Sequence, residues 1–227
     1  MNCRSDEIGN RTRLKIVRRK ACGFESHLRH LSIAKKPTTG NLTTISYIIG
    51  VAIGDGNLSN PSGRAVRLRI TCDIKYPNII KNITQALQEV MPNNKVSVVN
   101  KKENCVDISC YSNKWENLLG WSAGAGPKSN QKVSVPDWIK KNDILSASCL
   151  RGLIETDGSV YKDRGYLTVN FVTIIPELAK DVMEMMVALG FKPNVQTHKP
   201  QNGAVKHTIR VSRKSDKLIE ILGVDKS

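Results

Sequence analysis

Apolar and polar residues alternate through residues 64–75, which read RAVRLRITCDIK, and from Val66 onward they do so without a break. The apolar residues of this stretch fall on one side of the pattern, and Arg67 and Arg69 fall on the other. Because successive side chains of a β-strand point to opposite faces, this period of two predicts a strand with one buried face. Residues 166–173 alternate in the same way, but their polar face is neutral rather than basic.

A helical pattern, with apolar residues three and four positions apart, follows each of these strands. It runs through residues 77–91 and 176–189, and each stretch opens with a proline. The spacing predicts amphipathic helices, and proline suits a first helical turn because the N–H groups there have no intrahelical partner. Shorter elements complete the pattern: strands at residues 95–100, 104–111, 195–199 and 205–213, and a helix at residues 113–119.

The second half of the chain therefore repeats the order of the first. Corresponding segments lie between 99 and 103 residues apart, so only a few loop residues differ in number. Self-similarity at a fixed period indicates a duplicated unit. We predict an α+β protein made of two pseudo-symmetric halves, each with the order αββαββα.

Each half opens with a nine-residue apolar segment that ends in Asp-Gly. Residues 48–56 read IIGVAIGDG, and residues 150–158 read LRGLIETDG. Small residues four positions apart share one helical face and allow two helix backbones to approach closely. The predicted contact residues are Gly50 and Gly54 in the first segment, and Gly152 and Thr156 in the second. Gly56 and Gly158 suit the left-handed residue that often ends a helix.

The aspartates of these segments, Asp55 and Asp157, would then lie at two adjacent helix C-termini. A carboxylate there opposes the helix dipole by about 0.3–1 kcal/mol. Two carboxylates about 4 Å apart repel by about 4 kcal/mol at an effective dielectric near 20. A positive partner is therefore expected, and Mg²⁺ binds one or two carboxylates together with water or phosphate oxygens. The sequence predicts a Mg²⁺ site here, in which Mn²⁺ can substitute.

The two segments resemble the motif of the LAGLIDADG homing endonucleases, from the third-place glycine to the terminal Asp-Gly. The resemblance covers residues 44–223, and two motifs in one chain resemble the single-chain branch of that family. It implies that the motif helices form the interface between the halves and that the sheets form a DNA-binding saddle. It also implies that Asp55 and Asp157, with the carbonyls of Gly54 and Thr156, bind divalent metal and cleave both DNA strands.

Other candidate residues lie on or beside the predicted strands. Because a two-stranded ribbon fits the major groove, we predict DNA contacts from the polar faces. The candidates are Arg64, Arg67, Arg69, Thr71, Lys75, Tyr166, Thr168, Asn170, Lys206 and Arg210. Lys75 and Lys214 are alternative candidates for a basic group that assists catalysis, with surface salt bridges as the competing interpretation. Glu155 is expected to pack or cap its helix, and Trp115 and Trp121 to pack in the interior.

Charge favours a polyanionic partner. Lys and Arg number 35 against 20 Asp and Glu, and the isoelectric point is near 9.7. Such a balance is typical of nucleic-acid binding. No apolar run approaches the roughly 20 residues of a membrane span, and no secretory signal is recognisable. The six cysteines form no CxxC pair, so we expect reduced thiols and a cytoplasmic, nucleoid-associated or organellar-matrix location, not secretion.

Residues 1–43 differ from the rest of the chain. The first 40 residues carry ten Lys or Arg against three acids and lack clean periodicity, which predicts a basic, poorly ordered arm. Two alternative interpretations of this segment remain open: it is an organellar transit peptide, or it is the product of a reading frame that runs through a tRNA gene. The first half then spans residues 44–121, a Gly-rich linker residues 122–135, and the second half residues 136–227.

The function expected from these features is site-specific cleavage of double-stranded DNA, most simply by an intron-encoded homing endonuclease acting as a monomer. One alternative is an intron maturase that binds the host intron RNA. Another is a DNA-binding regulator that keeps the fold but does not cleave. Both acidic residues are present, which favours the nuclease over the inactive regulator.

Overall fold

A long helix, α1 (Thr39–Gly54), opens the described part of the chain, which comprises residues 39–201 and 203–226 of a computed structural model. The predicted boundary at residue 44 falls inside this helix, so the last residues assigned to the basic arm belong to α1. The rest of the predicted arm lies outside the described residues.

The first half continues with a four-stranded antiparallel sheet and two helices. Its elements after α1 are β1 (Gly56–Ser59), β2 (Arg67–Asp73), α2 (Pro77–Val90), β3 (Val96–Asn100), β4 (Cys105–Tyr111) and α3 (Trp115–Leu119). The strand order is β1-β2-β4-β3. In register, Arg69 of β2 lies opposite Asn57 on one side and Ser109 on the other.

The second half repeats this architecture. Its elements are α4 (Asp137–Lys140), α5 (Asp143–Thr156), β5 (Gly158–Asp163), β6 (Tyr166–Thr173), α6 (Pro176–Ala188), β7 (Asn194–His198), β8 (Lys206–Val211) and α7 (Ser215–Leu222). The strand order β5-β6-β8-β7 reproduces that of the first sheet. The predicted α+β class with two αββαββα halves is confirmed.

A short helix, α4, precedes the second motif helix, α5, along the chain. Asn142 separates them with an extended backbone, and its side chain accepts a hydrogen bond from the N–H of Leu145 at 3.1 Å. This contact satisfies one of the free N–H groups of the first turn, so Asn142 acts as an N-cap. Buried side chains anchor both ends of the predicted linker: Trp121 lies directly before it, and Val135 is its last residue.

The apolar face of each sheet packs on helices and forms the core of its half. Central strand residues such as Ile70 and Ile108 in the first half, and Phe171 and Ile209 in the second, are fully buried. Trp115 is also fully buried and donates its indole N–H to the carbonyl of Cys110 at 3.0 Å. Within the described residues, no helix combines the length and apolar character needed to cross a lipid bilayer.

Helices α1 and α5 pack against each other with their backbones in contact. A Cβ added at Gly152 would lie 2.5 Å from the carbonyl oxygen of Tyr47 and 2.6 Å from the nitrogen of Val51. One added at Gly50 would collide with the carbonyl oxygen of Cys149. Since real Cβ atoms do not approach backbone this closely, the predicted role of these two glycines as interface residues agrees with the geometry.

Gly56 and Gly158 are needed for a different reason from the one predicted. Neither residue has the left-handed backbone expected of a helix-ending glycine. Each begins a strand directly after its helix, where a Cβ would lie 2.5 Å from the oxygen of Ala52, or 2.6 Å from Cα of Ile154. The chain turns back so tightly onto its own last helical turn that no side chain fits.

Candidate functional site

The C-terminal ends of α1 and α5 meet at the centre of the molecule. Asp55 and Asp157 directly follow the two helices, and their N–H groups still donate to Val51 and Leu153 at 3.1 and 3.0 Å. A Cβ added at Gly54 would lie 3.5 Å from the carboxyl carbon of Asp157. The two helix ends are therefore in contact, and the two carboxyl groups belong to one site.

Two lysine side chains complete this site. The ammonium group of Lys128, in the loop after α3, donates to the carbonyl of Ile53 at 2.8 Å and to that of Gly54. The ammonium group of Lys226, beyond α7, donates to the carbonyl of Thr156 at 3.1 Å and to that of Gly158. Each lysine thus bonds the carbonyl oxygen immediately before one of the aspartates.

Burial is the main cause of the pKa shifts at this site, and repulsion from Asp55 adds to it at Asp157. Both aspartates reach solvent, but the protein packed around their carboxyl groups still disfavours the charged form. Burial, and then the neighbouring Asp55, raise the pKa of Asp157 to about 6. Burial also raises the pKa of Asp55, against the attraction of Lys128 and Lys226. Burial lowers the pKa of Lys128 to about 8, so it remains largely protonated at pH 7.

The face of the first sheet that turns away from the helices carries a charged network. Arg67 donates to the hydroxyl of Ser59 at 3.2 Å. Asp107 accepts a hydrogen bond from Thr71 at 2.7 Å and pairs with Lys101 at 2.9 Å and with Arg69 at 3.9 Å. Arg67, Arg69 and Thr71 therefore share one face, as the alternation predicts, and an acid that the sequence did not single out lies among them.

The matching face of the second sheet is mostly neutral. Asn170 donates to the hydroxyl of Tyr161 at 2.8 Å, and Arg210 pairs with Asp163 at 2.5 Å. Tyr166 is 73% exposed and Lys206 is exposed. Thr168, predicted to contact DNA, is fully buried with Tyr161 directly opposite it, so it cannot reach a ligand as it stands.

Family models match both halves of the chain. A LAGLIDADG-like domain matches residues 145–220, and a WhiA LAGLIDADG-like domain matches residues 44–107. The chain belongs to the LAGLIDADG family. It is a two-motif member, with one motif at the end of α1 and the other at the end of α5. No curated protein sequence matches it.

Solved structures share the fold of this LAGLIDADG protein at low sequence identity. I-DmoI in complex with DNA and Mn matches with a TM-score of 0.60 and 17% identity, over 82% of this chain and 99% of that one. I-DmoI with DNA and Ca matches with a TM-score of 0.56 and 19% identity, over 79% and 87% of the chains. Full-length DUF199/WhiA from Thermatoga maritima matches at 0.57 and 15%, over 85% and 59%.

The donor atoms at the centre of this LAGLIDADG protein fit a hard divalent cation. Carboxylate and carbonyl oxygens converge there, and an ammonium cation already lies at the carbonyl of Gly54 and at that of Thr156. The described residues contain no cluster of three or more His, Cys, Asp or Glu side chains. A cation at Asp55 and Asp157 would therefore need further oxygen ligands from water or phosphate, which is the usual habit of Mg²⁺.

The structure brings together the four predicted metal-site residues but uses different lysines from those proposed. Lys75 lies over the ring of Tyr76, and Lys214 precedes α7 with a left-handed backbone. The cations that act on the pKa of Asp55 are instead Lys128 and Lys226. Both lie in irregular segments after a closing helix that ends at a left-handed glycine, Gly120 or Gly223. This shared position after the closing helix is the sequence feature that could have pointed to the two lysines, but no hydrophobic periodicity marks it.

Glu155 has the packing role expected of it. It is buried between the motif helices, where it accepts hydrogen bonds from the hydroxyl of Tyr47 at 2.6 Å and from Arg151 at 2.8 Å. The guanidinium of Arg151 also lies 5.3 Å from the centre of the Tyr47 ring. The hydrogen bond from Tyr47 of α1 therefore joins α1 to a charge pair on α5, about one turn before the aspartates.

Proposed function

We propose that this LAGLIDADG protein is a site-specific, metal-dependent endonuclease that cleaves both strands of double-stranded DNA. The observation that carries the proposal is the convergence of Asp55 and Asp157, one from each half, at a single pair of helix ends. Each half supplies one carboxylate, which matches a reaction in which each strand of the DNA is cut once. Because a single chain supplies both halves, we propose that a monomer is sufficient.

The residues at the site divide the work of such a reaction. Asp55 and Asp157, with the carbonyls of Gly54 and Thr156, would hold the metal, which when bound activates water and stabilises the charge that develops on phosphate. Lys128 and Lys226 add positive charge on both sides of the carboxylates. The close backbone contact between α1 and α5 sets the spacing of the two carboxylates, because the glycines leave no room for a side chain between the helices.

We propose that the two exposed sheet faces bind the DNA. A net charge of +15 supplies phosphate attraction, and exposed strand residues can reach base edges in the major groove. The I-DmoI structures that share this fold include complexes with target DNA, which supports DNA as the partner proposed here. We also propose that the gene for this protein lies in an intron. The protein would then act in the cytoplasm or in an organelle.

The test compares wild-type protein with Asp55→Asn and Asp157→Asn on DNA that carries the recognition site. That site can be sought in the intron-free form of the flanking genomic sequence, or selected from random DNA by binding in EDTA. We expect wild type to cut both strands with Mg²⁺ or Mn²⁺ and not with EDTA. Both variants should bind the DNA almost as well, because binding rests on many phosphate contacts, and should lose double-strand cleavage.

Asp143→Asn is the matched control, because it removes one carboxylate from the opposite end of α5. It should cut like wild type. Cleavage that survives in both site variants would overturn the proposal.

A cleavage-inactive DNA-binding protein is the second candidate. The observation that favours it is that ammonium groups occupy the carbonyl oxygens that a metal would use. Specific binding of duplex DNA, with no cutting in any divalent metal, would establish that function. Tight binding of the intron RNA without cutting of DNA would instead establish the maturase.

A further inference from the structure

The two lysines at the centre form the same contact from segments of different length that follow the closing helix of each half. Lys128 lies in the loop between the halves, and Lys226 lies beyond the last helix. They are 98 residues apart, whereas the motif aspartates are 102 apart, so their segments have different lengths. Both ammonium groups nevertheless donate to the carbonyl that precedes an aspartate.

These carbonyls concentrate negative charge. The last four C=O groups of a helix have no intrahelical partner and carry the negative end of its dipole. At this site two such ends meet, and Asp55 and Asp157 add two carboxylates. The two ammonium groups balance the two carboxylates charge for charge, and each also satisfies at least one helix-end carbonyl.

A divalent cation at the aspartates would seek the same carbonyl oxygens. One carbonyl oxygen cannot hold an ammonium group and coordinate a metal with full strength at the same time. The two kinds of cation therefore act on one set of donors, and stabilising one of them disfavours the other.

We propose that Lys128 and Lys226 are built-in counter-cations that hold the paired aspartates together in the metal-free protein and compete with divalent metal for the carbonyls of Gly54 and Thr156. The proposal rests on the proposed function only in taking the aspartates as the metal site. This competition makes metal binding weak when DNA is absent. DNA phosphates would give the displaced ammonium groups new charged partners, so bound DNA should favour metal binding.

The experiment titrates Mn²⁺ into DNA-free protein and follows free Mn²⁺ by electron paramagnetic resonance. Wild type is compared with Lys128→Met, Lys226→Met and the double variant. We expect each single variant to bind Mn²⁺ roughly fivefold or more tightly than wild type, with a larger gain in the double variant. In EDTA the same variants should melt at lower temperature than wild type, and Mn²⁺ should restore the loss.

Two controls separate competition from general effects of charge and folding. Lys81→Met removes one positive charge from the exposed surface of α2 and should leave Mn²⁺ affinity unchanged. Lys128→Gln keeps a hydrogen-bond donor without the charge, so it should still bind Mn²⁺ more tightly even where Lys128→Met folds poorly. Asp157→Asn should abolish Mn²⁺ binding in every background, which confirms the site that the titration reports.

Weaker or unchanged Mn²⁺ binding in the folded lysine variants would overturn the proposal and show that the lysines assist the metal or ignore it. That outcome leaves the nuclease assignment intact if wild type still cuts DNA. Tighter Mn²⁺ binding without cutting would support the counter-cation role and overturn the nuclease.

Discussion

The two halves of this protein are close copies at the motif helices and clearly different on their exposed sheet faces. At the helices, each half supplies a glycine in backbone contact and an aspartate, and a lysine from an irregular segment reaches a carbonyl at the end of each helix. On the sheets, Arg69 of the first half corresponds in register to Asn170 of the second, since they face Asn57 and Ser159. Backbone contact and a shared charge site tolerate little change, whereas a sheet face that is open to solvent can vary without disturbing the helix pair.

The helix pair has one asymmetric feature of its own. The positions of Arg151 and Glu155 in the second motif are held by Ile49 and Ile53 in the first, and both isoleucines are buried. The polar cluster with Tyr47 can therefore form only when α1 meets α5. Pairing of either helix with a copy of itself would lose it, so the cluster favours association of unlike halves.

The largest expected effect tests the equivalence of the two glycines. Gly50→Leu and Gly152→Leu should each destabilise the protein by about 3 kcal/mol or more, because the new side chain meets backbone rather than a movable side chain. Urea unfolding measures the loss. Ala147→Leu is the control, since it adds apolar volume to α5 at a position that is not fully buried. A loss confined to one glycine would break the symmetry of the helix pair.

The next prediction concerns the polar cluster of Tyr47, Arg151 and Glu155, which makes the helix pair asymmetric. Arg151→Ile leaves Glu155 buried without its cationic partner and should cost about 2–3 kcal/mol, below the range for fully buried pairs because Arg151 is 30% exposed. Adding Glu155→Ile and Tyr47→Phe removes the stranded charge, so the triple variant should return to within about 1 kcal/mol of wild type. Urea unfolding measures both. If the triple variant loses as much stability as the three single substitutions together, the three side chains of the cluster are not energetically coupled.

Sheet asymmetry is tested by alanine at register-matched positions. Arg69→Ala should weaken DNA binding by about 1–3 kcal/mol and relax preference at one base pair if the arginine reads a base. If it contacts phosphate, binding should weaken for all sequences and the salt dependence should become shallower. Asn170→Ala should leave the salt dependence unchanged, because it removes no charge. If Arg69→Ala changes neither the DNA affinity, nor the base preference, nor the salt dependence, the arginine is only solvated.

The sequence predicts the elements well because periodicity records which side of an element faces the core. The strand at residues 166–173 is found as predicted, and α2 ends within one residue of its prediction. Alternation assigns Thr168 to the polar face but cannot show that Tyr161, from another strand, stands opposite it. Lys128 and Lys226 escaped prediction because their contacts cross more than 65 residues from irregular segments, where no local pattern specifies direction.

The smallest expected effect concerns the acid in the first sheet. Burial alone would raise the pKa of Asp107, but hydrogen bonds from Thr71 and Lys101 outweigh burial and hold this pKa below its usual range. Asp107 therefore stays ionised on a face proposed to meet phosphates, where it restrains Arg69 and offsets positive charge. Asp107→Asn keeps the shape and should change stability by less than about 1 kcal/mol.

The informative measurement is DNA affinity against salt, for specific and random duplexes. Losing one negative charge should tighten random-DNA binding a few-fold at low salt, steepen the salt slope by up to about 0.9, and lower the preference for the specific site. Asp163→Asn is the matched variant in the second sheet, where Asp163 pairs with Arg210. It should release a single cation and give the smaller change, because Asp107 restrains two cations and a hydroxyl. Equal changes in both variants would mean that the two faces handle charge alike and differ only in which bases they can read.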